Sequence, residues 1–191
     1  MASHLVVDNY DSFTYNLVHI LEDLHSENID VIRVDDVDLS TLKQYRSVIL
    51  SPGPGLPDES KNLMPIVKTL LESGQKTLGV CLGMQALALA SGMKLKNLEE
   101  VHHGVSHEMI KPSMDARLYQ NIEIPLMVGR YHSWVIDENT LTKDWLITAK
   151  DASGEIMSME HVRKKLFAIQ YHPESVLTPQ GRKILNNYLN A

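Results

Sequence analysis

Short apolar runs alternate with helix-periodic segments over the first ninety residues. The runs are too short for helices and rich in β-branched residues, which predicts strands. They lie at residues 5–8, 29–34, 47–51 and 77–80. Apolar positions with helical spacing occur between them, at residues 17–24 and 62–73, and again at 85–90. Because strands that alternate with helices build a parallel sheet covered on both faces, the pattern predicts an α/β fold of three layers.

The second half of the chain has a looser pattern. Residues 93–145 predict strand hairpins at the edge of the sheet, and residues 156–161 and 166–171 predict a strand pair. A last helix is predicted with Thr178 as N-cap and Pro179 at its first position, because these residue types favour those places.

Composition describes an ordinary globular chain of one domain, residues 1–191, with 43% hydrophobic and 22% charged residues. The net charge of −6 indicates neither a nucleic acid nor an anionic membrane as partner. No apolar run approaches the roughly 20 residues of a membrane span, and the N-terminus does not resemble a signal peptide. These features and the single cysteine favour a cytoplasmic location.

That single cysteine, Cys81, follows a predicted strand and precedes a predicted helix, with Gly79 and Gly83 two positions to either side. This spacing is typical of a nucleophile elbow, in which glycines leave room for a sharp turn. The helix N-terminus would favour a thiolate and could stabilise an oxyanion. The alternative, which composition alone favours, is a buried cysteine that acts as a small hydrophobic residue.

Three other segments carry candidate chemistry. Residues 51–57 (SPGPGLP) form a stiff loop that could present backbone N–H groups to a substrate or could be a plain turn. Gln85 lies one helical turn after Cys81, on the same side, although its position alone favours an exposed glutamine. His172 and Glu174 are two apart, so an extended chain would point both to one face, where the carboxylate would orient the imidazole. The alternative is a solvated pair at a strand end.

Two further segments have less specific patterns. Residues 102–108 (HHGVSHE) hold three histidines and a carboxylate, but their spacing matches no common metal motif, and no metal site is predicted. Residues 129–134 (GRYHSW) could form a surface loop or a pocket wall.

Taken together and in order, residues 51–55 (SPGPG), 79–85 (GVCLGMQ) and 171–175 (YHPES) resemble the class I glutamine amidotransferases. Residues 8–16 (DNYDSFTYN) and 129–134 narrow the likeness to the amidotransferase subunits of anthranilate synthase and para-aminobenzoate (aminodeoxychorismate) synthase. The resemblance covers essentially the whole chain and implies a flavodoxin-like fold.

The resemblance also implies a mechanism. Cys81 would attack the side-chain amide of L-glutamine, His172 would transfer protons, and Glu174 would support His172. Backbone N–H groups of Gly53 and Leu82 would form the oxyanion hole. The residues implied to bind glutamine are Gly53, Pro54, Gly55, Gln85, Ser133 and Trp134.

The implied partner is a chorismate-binding synthase subunit, which would receive the ammonia and hold the magnesium, so that this chain needs no cofactor of its own. The chain departs from the family pattern at Val105, where a lysine is usual, at Met84, where histidine is frequent, and over residues 110–120. None of these departures touches the three catalytic candidates. A stand-alone hydrolase, a non-catalytic regulatory module, and the amidotransferase half of a guanylate or carbamoyl-phosphate enzyme are the alternatives, and the choice between anthranilate and aminodeoxychorismate stays open.

Overall fold

The computed structural model describes residues 3–25, 27–98, 103–110, 113 and 115–191. In this part of the chain, eleven strands and four α-helices succeed one another. The strands are β1 (His4–Asp8), β2 (Ile29–Arg33), β3 (Ser47–Leu50), β4 (Thr77–Val80), β5 (Leu95–Asn97), β6 (Val105–Ile110), β7 (Leu126–Arg130), β8 (Trp134–Ile136), β9 (Trp145–Asp151), β10 (Ile156–His161) and β11 (Leu166–Ile169). The helices are α1 (Thr14–Leu24), α2 (Leu63–Ser73), α3 (Leu82–Ala90) and α4 (Gly181–Asn190).

Nine strands form one sheet in the order β2-β1-β3-β4-β11-β10-β9-β6-β7, and β5 pairs with β8 in a separate small sheet. The neighbours from β2 to β11 run parallel to one another. From β10 onward every neighbour is antiparallel. We call these the parallel half and the antiparallel half. The predicted strands of the first ninety residues all lie in the parallel half, and the predicted pair at residues 156–161 and 166–171 is β10 with β11.

Helices cover both faces of the parallel half, as the alternation of strand residues requires. Val6 and Ile49 point to one face and share a core with α1 and α4. Leu5 and Leu50 point to the other face and share a core with α2 and α3. The predicted three-layer α/β architecture is therefore confirmed. No helix among the described ranges is both long and apolar enough to cross a membrane.

The predicted start of the last helix is wrong. Helix α4 begins at Gly181, with Gln180 at the N-cap position, rather than after Thr178. The Thr178 hydroxyl is engaged elsewhere, because it donates to the backbone O of His172 at 2.6 Å and accepts from the Gly129 N–H at 2.9 Å. A tertiary contact thus uses the side chain that local preference assigns to a cap.

Candidate active site

Cys81 lies at the junction of β4 and α3, as the elbow pattern predicts. Its backbone has φ 51° and ψ −102°, a left-handed conformation that costs energy for a residue with a Cβ. The turn is so tight that a Cβ on Gly79 would lie 2.6 Å from the backbone C and O of Gly83. A Cβ on Gly83 would lie 2.7 Å from the Leu50 backbone O. The two glycines are therefore needed for close packing, which leaves Cys81 at the sharp strand-to-helix turn.

The loop after β3 packs against the start of α3. A Cβ on Gly53 would lie 2.7 Å from both the Asn9 Cβ and the Leu82 Cδ2. Asn9 also holds the loop, because its side-chain Nδ2 donates to the Ser51 O at 2.8 Å. Leu82 is the first residue of α3, so its N–H has no acceptor within the helix. Gly53 and Leu82 thus lie side by side next to Cys81, and their role as an oxyanion hole stays a prediction.

His172 and Glu174 form a buried pair. The distance from Nδ1 of His172 to Oε1 of Glu174 is 2.6 Å, and their side chains are 4% and 0% exposed. The backbone here is a turn rather than the predicted extended chain, yet the two side chains still meet. The solvated alternative is therefore wrong. The rings of Tyr131 and Phe13 lie beside the imidazole, with centroids 4.8 Å and 6.1 Å away.

This environment favours the charged imidazole ring. Burial opposes the charge, but the interactions with Cys81 and Glu174 outweigh it and raise the pKa of His172 to about 10. Near neutral pH the ring is therefore an imidazolium, which could protonate a leaving amine.

A cavity of about 180 Å³ opens on one side of Cys81. Every residue predicted to bind glutamine lines it: Gly53, Pro54, Gly55, Gln85, Ser133 and Trp134. A second cavity of about 250 Å³ lies on the side of His172 and is lined by the loop at residues 10–13, by His103 and by Tyr131. Cys81 thus lines both cavities, of which the first is a small polar cleft. The segment 129–134 is a pocket wall rather than a surface loop.

The Trp134 carbonyl, on the wall of the first cavity, accepts two side-chain hydrogen bonds. Gln85 is only 4% exposed, and its Nε2 donates at 3.0 Å, so the exposed alternative for Gln85 is wrong. The second donor is Nδ1 of His132, at 3.1 Å. The other ring nitrogen of His132 accepts from Arg130 Nε at 3.2 Å. Because a guanidinium only donates, the His132 proton must lie on Nδ1, facing Trp134.

Arg130 is itself fixed by a buried ion pair. Its Nη1 lies 2.6 Å from Oδ2 of Asp151, and the two side chains are 2% and 4% exposed. The other carboxylate oxygen of Asp151 accepts from the backbone N–H groups of Ser153 and Glu155. Sequence reasoning missed Arg130, His132 and Asp151 as residues of the site. The only available signal was the arginine and histidine inside the segment 129–134.

The histidine-rich segment makes no metal cluster in the described part of the chain, where no three His, Cys, Asp or Glu side chains could share a metal ion. Nδ1 of His107 instead lies 3.0 Å from Nη1 of Arg130. His102 lies outside the described residues.

Comparison with known proteins agrees with the fold and identifies the family. The family model for class I glutamine amidotransferases matches residues 5–191. Anthranilate synthase component 2 of Saccharolobus solfataricus is 38% identical over an alignment of 193 positions, which covers 97% of this chain and 97% of that protein. Aminodeoxychorismate synthase component 2 of Klebsiella aerogenes is 38% identical over 189 residues, covering 97% of this chain and 98% of that protein.

Among solved structures, a glutamine amidotransferase from Thermotoga maritima superposes with a TM-score of 0.82 at 15% identity. The match covers 99% of this chain and 96% of that one, and at this identity it bears on the fold alone. The flavodoxin-like fold that the resemblance implies is thereby confirmed. With the family model matching nearly the whole length, the chain belongs to the class I glutamine amidotransferase family.

Proposed function

We propose that this chain is the glutaminase subunit of a chorismate-aminating synthase. It hydrolyses L-glutamine and delivers the ammonia to a second subunit, which binds chorismate and magnesium. The observation that carries the proposal is the cleft of about 180 Å³ beside Cys81, lined by all six residues expected to bind glutamine. The relatives named component 2 of anthranilate synthase and of aminodeoxychorismate synthase support the choice of partner.

In the proposed reaction, the Cys81 thiolate attacks the side-chain amide carbon of glutamine. The carbonyl oxygen becomes an oxyanion, which the N–H groups of Gly53 and Leu82 stabilise. The tetrahedral intermediate collapses and the C–N bond breaks. The His172 imidazolium protonates the departing nitrogen, which leaves as ammonia. The product at this stage is a glutamyl thioester on Cys81.

Water completes the cycle. His172, now neutral, removes a proton from a water molecule that attacks the thioester. Glutamate leaves, and the proton that His172 has gained restores the imidazolium beside the thiolate. Throughout the cycle Glu174 accepts the hydrogen bond from Nδ1–H of His172. The distance from Nδ1 to Oε1 of Glu174 is 2.6 Å in the resting structure. This half-reaction uses only the side chains and backbone of this chain, so we assign the magnesium to the partner.

For the location we propose the cytoplasm, where a free thiol stays reduced.

The test is glutamate release from glutamine by the purified chain, alone and with each candidate synthase subunit, beside a Cys81→Ser variant. We expect release that requires Cys81 and that rises when the correct partner is present. Formation of anthranilate or of aminodeoxychorismate then identifies the partner. If no partner elicits release from the folded wild-type chain, the proposal is wrong and the non-catalytic module replaces it. Release without any dependence on Cys81 would contradict the mechanism.

A further inference from the structure

A side chain that sequence reasoning did not single out reaches the sulfur of Cys81. Gln170 is wholly buried, and its Nε2 lies 3.5 Å from Cys81 Sγ. The sheet register explains this placement. Strands β4 and β11 are parallel neighbours, with Val80 opposite Ile169, and the Cys81 N–H donates to the Ile169 O at 2.8 Å. The next residues of the two strands, Cys81 and Gln170, therefore lie side by side.

The hydrogen-bond network fixes which end of the Gln170 amide faces the sulfur. The Trp134 carbonyl can only accept, so the Gln85 side chain must turn its NH₂ group toward it, at 3.0 Å. The same Gln85 Nε2 lies 3.4 Å from Oε1 of Gln170 and donates to it. With its oxygen engaged, Gln170 presents its own NH₂ group to Cys81. The Trp134 carbonyl, on the wall of the glutamine cleft, thereby determines which end of the Gln170 amide faces Cys81.

We propose that Gln170 is a further catalytic residue, whose side-chain N–H donates to Cys81 Sγ, stabilises the thiolate and fixes the direction of the sulfur. The inference rests on the proposed role of Cys81 as nucleophile. A hydrogen bond to an anionic acceptor is stronger than one to a neutral acceptor, so the donor favours the thiolate over the thiol. The surroundings are buried, which strengthens the interaction because little water competes with it.

The titratable side chains near Cys81 also influence its reactivity, so the test must leave them unchanged. His172, supported by Glu174, flanks the sulfur, while Asp11 and His103 line the cavity on the His172 side. All of them are retained when Gln170 alone is replaced. A change in the reactivity of Cys81 between such variants therefore reports on the amide donor.

The test measures the rate at which iodoacetamide alkylates Cys81 as a function of pH, in the chain alone. Gln170→Met keeps the length of the side chain and removes the donor, and Gln170→Glu keeps its shape and replaces the donor by a carboxyl group. We expect the rate near neutral pH to fall about tenfold in Gln170→Met and further in Gln170→Glu. The rate in Gln170→Met should recover at more alkaline pH, since only the thiolate population has changed.

Gln75→Met is the matched control. The Gln75 amide donates to the carbonyls of Leu42 and Tyr45, and Gln75 lines neither of the two cavities beside Cys81. Its pH profile of alkylation should superpose on that of the wild type. Superposition of the Gln170→Met profile on the wild type would overturn the inference.

A measurement on the wild type covers the case in which a Gln170 variant does not fold. In ¹⁵N-labelled protein with assigned side chains, the Gln170 amide protons should shift when Cys81 is alkylated, and those of Gln75 should not. Unshifted Gln170 amide protons would overturn the inference. The proposed function fails separately, since absence of glutamate release from the wild type with every partner would leave a Gln170-dependent alkylation profile intact.

Discussion

The two halves of the large sheet contribute differently to the candidate site. The parallel half supplies the candidate catalytic groups, since Cys81 follows β4 and both Gln170 and His172 follow β11. The antiparallel half and the small sheet supply groups that orient the cleft, through Arg130 at the end of β7 and Trp134 at the start of β8. The parallel half thus holds the candidate catalytic side chains and part of the cleft, whereas the antiparallel half and the small sheet contribute only to the cleft wall and its support.

The difference between the two halves predicts that substitutions in each will change a different kinetic constant. Loss of a reacting group should lower kcat, whereas loss of a group that only positions the cleft wall should raise KM. Stability should separate as well, because the antiparallel half contains the buried ion pair between Arg130 and Asp151. The four substitutions that follow test the separation, in order of decreasing expected effect on free energy.

Replacement of the base tests the parallel half. His172→Asn keeps a polar side chain but removes the group that exchanges protons, so kcat for glutamate release should fall about a thousandfold. KM should change by less than about threefold, because the residues lining the cleft are untouched. Steady-state kinetics with the partner subunit present checks both values. A rise in KM as large as the fall in kcat would break the proposed separation.

Removal of the buried carboxylate tests the antiparallel half. Asp151→Asn leaves the Arg130 guanidinium, which is 2% exposed in its side chain, without this anionic partner. We expect the free energy of unfolding to fall by about 3 kcal/mol, as measured by urea denaturation. The matched control is Asp144→Asn, whose ion pair with Arg163 is exposed and should contribute less than about 1 kcal/mol. Equal losses in the two variants would contradict the importance of the buried pair.

Glu174→Gln sharpens the account of the histidine. One of the two interactions that raise the pKa of His172 is lost, so the imidazolium should deprotonate at lower pH, and kcat should fall about tenfold to a hundredfold. Because the folded-state pKa is raised, the stability that this proton contributes is fully present below pH 6.5 and is lost as the pH rises through about 10. In the variant that loss should still begin near pH 6.5 but should end at lower pH.

An NMR titration of the His172 ring and unfolding measurements at several pH values check this prediction. Wild type and Glu174→Gln should differ most between pH 6.5 and about 10, the interval bounded by the ordinary and the raised pKa of His172. Identical ring titrations in the two proteins would show that the carboxylate does not hold the proton.

The smallest effect is expected at His132. His132→Leu removes one of two donors to the Trp134 carbonyl, so KM for glutamine should rise about fivefold with kcat nearly constant. His132→Asn can place an amide N–H near the position of Nδ1 and should restore KM to within about twofold. Alkylation of Cys81 should proceed at the wild-type rate in both variants. A fall in kcat at constant KM would assign His132 to the chemistry instead.

The sequence predicted the elbow because everything that defines it lies within a few residues. A short strand, two glycines and a helix determine the turn at Cys81, and only the packing of the glycines had to be seen in three dimensions. The pairing of His172 with Glu174 was also predicted, although through an extended chain. The structure achieves it in a turn, where the two side chains are still neighbours.

Residues whose partners are distant in the chain could not be predicted in the same way. The position of Gln85 alone favoured an exposed side chain, because its acceptor, the carbonyl of Trp134, lies 49 residues further along the chain. Nothing near Gln170 in the sequence indicates that β11 will lie beside β4 and bring it to Cys81. The tautomer of His132 depends on Arg130, whose own placement depends on Asp151. Such contacts follow from sheet topology rather than from local pattern.

The segment that carries His172 has one further consequence, for hydrogen exchange. The His172 N–H donates to the Gly129 O at 3.0 Å, and the Gly129 N–H donates to the Thr178 hydroxyl at 2.9 Å. These two amides lie far apart in the chain, yet separation of β7 from the turn after β11 would expose both. Their protection against exchange with deuterium should therefore rise and fall together, and it reports on the opening that detaches His172 from the last strand of the sheet.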